Sequence, residues 1–303
     1  TSPFHHITLS PHHPFTTSLF HHFTLSPLHS FTTSPFPSMQ STKLADGTEV
    51  FCLRSAEAQV LDYHINGYLH KSIKIKDGDV LFDIGANIGV LGVRMMQLYP
   101  NATLYAFEPI LPIFEVLKAN AQRYAPNRFK VFNCGISDSN ETVTFSYFPN
   151  SPALSTAHNE DWNHDSQTLA RAVEGNVNHA PPQYRWARFL PRFLFALMAK
   201  WMRWGEQKLP CQLQTLSAFI EQQKIDHIDL LKIDCEGAEL RVLQGISPQH
   251  WQLIHQIVAE VHDVENRLQT FTNICKQHGF ANIVVEKDHL MGDTPLYNVF
   301  VTR

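Results

Sequence analysis

The sequence predicts an α/β domain in which a mainly parallel, seven-stranded sheet carries helices on both faces. Two observations lead there. Short apolar runs alternate with stretches of helical spacing along most of the chain, the pattern of repeated βαβ units. The first of these runs ends in a glycine turn that opens a helix, the junction at which open α/β sheets receive ligands.

Strands are predicted at Val80 to Ile84, Leu104 to Phe107, Lys130 to Asn133, Ile228 to Ile233 and Gln256 to Glu260. Each is short and largely apolar, as strands covered on both faces must be. Helices are predicted at Ile88 to Leu98, Ile113 to Arg123, Leu216 to Gln223, Ala238 to Leu243 and Asn266 to His278, where apolar residues recur three and four positions apart. The last two runs, Asn282 to Glu286 and Leu296 to Val301, suit a closing hairpin.

Composition sets the outer bounds. A chain of 303 residues with 44% hydrophobic content can build a sizeable core without disulfides or metals. The five cysteines, Cys52, Cys134, Cys211, Cys235 and Cys275, stand far apart with no C-x-x-C pair, so they are read as reduced thiols. A net charge of −4 and the lack of a Lys/Arg block speak against a nucleic-acid partner. No apolar run reaches the roughly 18 residues of a transmembrane helix and the start lacks a basic signal region. The expected compartment is the cytoplasm.

Two segments stand apart. Residues 1–38 hold no Asp, Glu, Lys or Arg, and they repeat with a period of 16: His5-His6-Ile7-Thr8-Leu9-Ser10-Pro11 returns as His21-His22-Phe23-Thr24-Leu25-Ser26-Pro27. Two Pro-broken units cannot bury a hydrophobic face, so this arm is expected to be disordered. It reads as translated from too far upstream, with Met39 as the natural initiator and 39–303 as the domain. The second segment, about 149–210, belongs to no βαβ unit and is too long for an ordinary connection. Its second half mixes Arg185, Arg188, Arg192, Lys200 and Arg203 with Trp186, Phe189, Phe193, Phe195, Trp201 and Trp204. A lid or substrate wall, plain core packing and contact with a membrane surface are the three readings.

The strongest chemical signal is Val80-Leu81-Phe82-Asp83-Ile84-Gly85-Ala86-Asn87-Ile88-Gly89, a buried strand entering a glycine turn. Glycines admit close backbone approach to a ligand. Glu108 follows Gly89 by nineteen residues, at the end of the second strand, where an acidic side chain can accept both ribose hydroxyls of an adenosine. Dinucleotide sites favour G-x-G-x-x-G, because a pyrophosphate lies on the helix N-terminus. Here the turn reads G-x-x-x-G, and Asp83 would repel a pyrophosphate while suiting an ammonium group, as in the methionine part of S-adenosylmethionine. Asn133 and Asp138, after the third strand, stand where adenine would lie; either is also ordinary turn chemistry.

From about Ala45 to the end, the chain resembles the FkbM-type methyltransferases, especially those found as domains of polyketide and nonribosomal peptide synthetases. The matching stretches are Phe82 to Gly89, Tyr105-Ala106-Phe107-Glu108-Pro109, Ile228 to Glu239, Glu260-Val261-His262-Asp263 and Leu296-Tyr297-Asn298. The resemblance implies a Rossmann-like class I methyltransferase sheet, S-adenosylmethionine as donor and a hydroxyl as the usual acceptor. By position it makes Asp83, Gly85, Asn87 and Glu108 cofactor contacts; Gly89, the second glycine of the turn, is expected to bind the cofactor with them. The stretch from about Asp161 to Lys208 has no matching motif, and Ser217 stands where the family often has Asp.

Independently of the family, Asp234 and Glu236 follow the fourth strand, and Glu260 and His262 end the fifth, so these side chains should face the acceptor. An alcohol must lose its proton during or after attack, and His262, with an ordinary pKa of about 6.5, is suited to take it. The other reading ties His262 to Asp263 or to a backbone carbonyl. Asp234 and Glu236 either orient the acceptor or hold a Mg²⁺ on adjacent oxygens of a diol. A metal needs more ligands than the sequence places, and none is assigned. Lys232 and Glu239 are read equally well as structural. The expected substrate is a hydroxyl on a small molecule or on a carrier-tethered intermediate; the alternatives are a non-catalytic adaptor and a nicotinamide-dependent dehydrogenase.

Overall fold

The computed structural model describes residues 38–68, 72–157, 173, 177, 186, 187, 189–287 and 294–303. The repeat arm, apart from Ser38, and the middle of the inserted segment lie outside them.

The main sheet takes seven strands: β3 (Val80–Ile84), β4 (Thr103–Phe107), β5 (Phe129–Phe132), β9 (Leu230–Ile233), β10 (Gln256–His262), β11 (Asn282–Lys287) and β12 (Leu296–Thr302). Their order is β11-β12-β10-β9-β3-β4-β5. β12 runs antiparallel to both β10 and β11, and the pairs β10/β9, β9/β3, β3/β4 and β4/β5 are parallel. The chain thus moves outward from β3 to β5 and returns to β9 on the opposite side of β3. That reversal opens a crevice at the carboxyl ends of β3 and β9.

Helices cover both faces because alternate strand residues point to opposite sides. Leu81, Leu104 and Ala106 enter one core with α1 (Ser55–Tyr68), α2 (Val90–Leu98) and α3 (Leu111–Tyr124). Phe82, Ile84, Tyr105 and Phe107 enter the other with α5 (Leu216–Gln223), α6 (Glu239–Gln244) and α7 (Arg267–Gln277). Phe219 of α5 stands edge-on to Phe107 at 4.7 Å and to Phe132 at 4.8 Å, and it is fully buried. Burying an aromatic of this kind stabilises the fold by about 1.5–3 kcal/mol.

Three parts escaped the sequence reading. An N-terminal hairpin, β1 (Gln40–Lys43) with β2 (Glu49–Cys52), and helix α1 precede the first predicted strand. A second sheet of order β6-β8-β7 joins β6 (Gly135–Ser137), β7 (Glu141–Tyr147) and β8 (Gln207–Thr215). Strands β7 and β8 pair antiparallel from Glu141↔Leu213 to Tyr147↔Gln207, so the segment expected at 149–210 is the excursion of a β-hairpin and its last residues are strand. Helix α4 (Arg192–Met202) stands on that excursion, with Phe195 and Ala199 buried against Val173, Val177 and Ala187. Among the described residues, no helix is long and apolar enough to cross a membrane.

Asn120 of α3 fastens the hairpin to the glycine turn. Its side chain is fully buried, accepts from Phe51 N at 2.8 Å and donates to Phe51 O at 2.9 Å and Ile88 O at 2.8 Å. Asn120→Ala strands a buried amide and two carbonyls, so the expected loss is about 2–4 kcal/mol. Urea unfolding checks this through a lower midpoint at unchanged slope; a loss below about 0.5 kcal/mol would show that water replaces all three bonds.

Candidate active site

The crevice is organised around a buried ammonium. Lys232 of β9 lies beside Asp83 of β3 in register, and both are almost completely buried. Lys232 Nζ stands 2.9 Å from Asp83 Oδ1 and 3.5 Å from Asp234 Oδ2, and it donates to the Gly85 carbonyl at 2.9 Å. Burial pushes its pKa down, but Asp83 and Asp234 more than offset that and hold it charged. The Tyr68 ring lies 5.5 Å from the same ammonium. The Asp83 Oδ2 atom is buried with no hydrogen-bond partner among the described residues.

The glycines of the turn after β3 make room for neighbouring parts of the protein. Gly85 has φ +76°, and a Cβ there would stand 1.8 Å from the Asp234 carbonyl oxygen. Only a residue without a side chain lets the turn pass so close to the end of β9. Gly89 has φ +81°, and its missing Cβ leaves room for Leu117 as α2 begins. Between them Asn87 also adopts positive φ, and its side chain accepts from Ile88 N at 2.7 Å.

Glu108 ends β4 with its carboxylate folded back into the turn. Oε2 accepts from Asn87 N at 3.1 Å and Oε1 from Ile110 N at 2.9 Å. Burial raises its pKa to about 7 against the lowering effect of those amides. Asn133 donates to the carbonyls of Glu108 at 2.9 Å and Pro109 at 3.1 Å, so it holds the loop that carries Glu108. Asp138 is committed elsewhere. It pairs with Arg241 at 3.0 Å and accepts from Ser137 Oγ, and despite partial burial these partners lower its pKa. Asp138 thus faces Arg241 and Ser137, whereas Asn133 stays beside Glu108.

The acceptor end gathers Asp234, Glu236, Glu239, Glu260 and His262. Asp263 accepts from Leu268 N at the start of α7, and His262 lies against two carboxylates. Its Nδ1 lies 3.3 Å from Glu239 Oε1 and its Nε2 3.6 Å from Glu236 Oε2. Burial lowers its pKa, but Glu239 and Glu236 raise it further, to about 10. The sequence expects a near-neutral imidazole; the two carboxylates beside His262 favour its imidazolium form.

Glu236 occupies positive φ, and a quarter of its side chain is open. Burial raises its pKa to about 7, with His262 opposing. Glu239 is buried and accepts from Gly237 N at 2.8 Å, which closes the turn after β9. Arg267 donates to the Gly237 carbonyl at 3.2 Å, and Thr156 to the Glu236 carbonyl at 3.1 Å. Thr156 also bridges to Ser146, so the root of the inserted segment touches the acceptor end.

Tyr68 is the site residue that sequence reasoning missed. It ends α1, and its hydroxyl reaches Asp234 Oδ2 at 2.8 Å and Glu260 Oε2 at 3.3 Å. Burial, then the nearby carboxylates, hold the phenol protonated. No motif surrounds it, and only the path of α1 over the crevice brings it there.

The FkbM methyltransferase domain model matches residues 83–286, which span the turn, both strand ends and the inserted segment. The chain is 31% identical to 31-O-demethyl-FK506 methyltransferase FkbM of Streptomyces tacrolimicus, over 88% of this chain and 97% of that protein. It is 30% identical to the AMB antimetabolite synthetase AmbE of Pseudomonas aeruginosa over 78% of this chain, which amounts to 11% of that much longer protein. A 25% identity to the 2-O-methyltransferase NoeI of Sinorhizobium fredii covers 57% of this chain and 60% of that one. The chain belongs to the FkbM methyltransferase family and is a methyltransferase.

Proposed function

We propose that the protein transfers a methyl group from S-adenosylmethionine to a hydroxyl of a secondary metabolite, free or tethered to a carrier protein. The observation that carries the donor is the crevice itself. Asp83 leaves a buried oxygen without a hydrogen bond among the described residues, the Gly85 backbone approaches β9 where a side chain would collide, and Glu108 is buried at the end of β4. Asp83 suits the ammonium and Glu108 the ribose hydroxyls, with Gly85, Asn87 and Gly89 shaping the turn between them and Asn133 steadying the Glu108 loop. When bound, the sulfonium supplies an activated methyl group for in-line displacement. Two relatives, a 31-O-demethyl-FK506 methyltransferase and a 2-O-methyltransferase, support oxygen as the acceptor atom.

The protein's own task is then to align the hydroxyl, exclude water and receive a proton. His262 is already protonated, so it is a poor acceptor for that proton. Glu236 is the better base: it is partly open, its pKa lies near neutrality, and the His262 imidazolium favours its ionised form. Glu239 and His262 position it, and Asp234, held by Tyr68, orients the acceptor. The pair Glu236–His262 titrates as a unit.

Three outcomes follow from this assignment. Glu108→Ala should weaken S-adenosylmethionine binding by about 10- to 100-fold, the loss of one or two hydrogen bonds to a charged group; calorimetry checks this, with Arg123→Ala on the surface as control. Binding unchanged in Glu108→Ala would remove the ribose role. Glu236→Gln should lower kcat by about 10²–10⁴-fold while the cofactor Kd stays put. Wild-type kcat should rise with pH through about 7 as Glu236 loses its proton, and a flat profile in wild type would dismiss Glu236 as the base.

The third outcome concerns His262. Its folded pKa of about 10 exceeds the unfolded value of about 6.5, so its contribution to stability is complete below pH 6.5 and is lost as pH rises through 10. Both ring nitrogens should therefore keep their protons between pH 6 and 8 in a ¹⁵N NMR titration, with only the small shift that ionisation of the neighbouring Glu236 causes. A midpoint between 6 and 7 would restore the neutral-imidazole base.

A further inference from the structure

We infer that the outward face of α4 docks the protein onto an anionic membrane surface. Helix α4 is apolar on two sides. Its inner side buries Phe195 and Ala199, which satisfies the small core of the inserted segment. Its outer side carries Phe193, Leu197 and Trp201 at four-residue spacing, 65%, 56% and 51% exposed. Phe189 and Trp204 extend the stripe beyond each end of the helix and are exposed still further. A helix that is apolar on both sides is stable in water only when something covers the second side.

Charge decides what covers it. Residues 181–204 contain Arg185, Arg188, Arg192, Lys200 and Arg203 and no Asp or Glu, in a chain whose net charge is −4. Lys200 is exposed on the outer side beside the aromatic stripe. Lysine is depleted from the cores of protein interfaces, and protein hot spots sit in pockets, whereas these aromatic rings project from a helix. Projecting Trp, Phe and Leu beside an exposed Lys, in a basic stretch without acidic residues, is the chemistry of a helix lying in a lipid headgroup layer. The Lys200 stem can lie along the apolar zone with its ammonium at the phosphates.

The fastening of α4 fits this use. Asn150 donates to the carbonyls of Trp201 at 3.0 Å and Trp204 at 3.1 Å, and Arg54 donates to Pro149 O and Asn150 Oδ1. The end of the helix is therefore tied to the loop that leads to Thr156 and the acceptor end, independently of which acceptor is methylated.

The test uses the full chain with vesicles of phosphatidylcholine alone and with phosphatidylserine added. Sedimentation should recover the protein with the anionic vesicles, weakly with the neutral ones, and less in high salt. Brominated phosphatidylcholine in those vesicles should quench part of the tryptophan fluorescence, leaving buried Trp251 bright. Phe193→Ser/Leu197→Ser/Trp201→Ser should reduce the bound fraction at least about tenfold while the melting temperature holds. Should that variant fold poorly, Lys200→Glu should still weaken binding to the anionic vesicles. No recovery of the wild type with either vesicle overturns the inference. So does a wild-type dimer, seen by light scattering without vesicle binding, that the triple substitution dissociates; the face would then belong to a second copy.

Discussion

The Lys232 ammonium is the constraint on which the site depends. A cation with almost no exposure to water survives between β3 and β9 only because Asp83, Asp234 and the Gly85 carbonyl surround it. Those contacts join the two strands across the reversal of strand order and set how far apart their ends can stand. The glycine turn follows from that spacing, since Gly85 has to pass the Asp234 carbonyl without a side chain. Removing one partner of such a pair leaves a buried charge and typically costs about 3–5 kcal/mol, so the arrangement is fixed by stability as much as by chemistry.

The two halves of the crevice are built by different means. On the β4 side, backbone amides do the positioning: Asn87 and Ile110 fix the Glu108 carboxylate, and Asn133 fixes its loop. On the β10 side, side-chain charge does it, through a row from Glu236 to His262 to Glu239. The first device gives a rigid cradle of fixed shape. The second gives a proton reservoir whose state near neutrality is set by mutual field rather than by any residue alone. Elements from outside the main sheet complete the second half, with α1 supplying Tyr68 and the root of the inserted segment supplying Thr156.

Much of this was legible in the residues because it is local. Every strand of the main sheet announced itself as a short apolar run, and Asp83, Gly85 and Glu108 sit at strand ends whose meaning depends only on chain direction and spacing. The hairpin β1–β2 and the strands β6, β7 and β8 did not announce themselves. Strand β7 is half exposed, and its partner β8 lies some sixty residues further on, so neither periodicity nor a turn signal marks the pair. Asp138 looked like an adenine contact by position, and its pairing with Arg241 depends on α6 packing against β6.

The sequence by itself determined the parallel sheet, the glycine turn and the order in which carboxylates reach the strand ends, since each follows from neighbours along the chain. Only the tertiary structure decided their chemistry. The ionisation of His262 depends on Glu236 and Glu239, which come from a different strand end. The identity of Tyr68 as a site residue depends on where α1 crosses the crevice. A pKa is set by burial and by the field of groups distant in sequence, and neither can be read from a residue and its immediate neighbours.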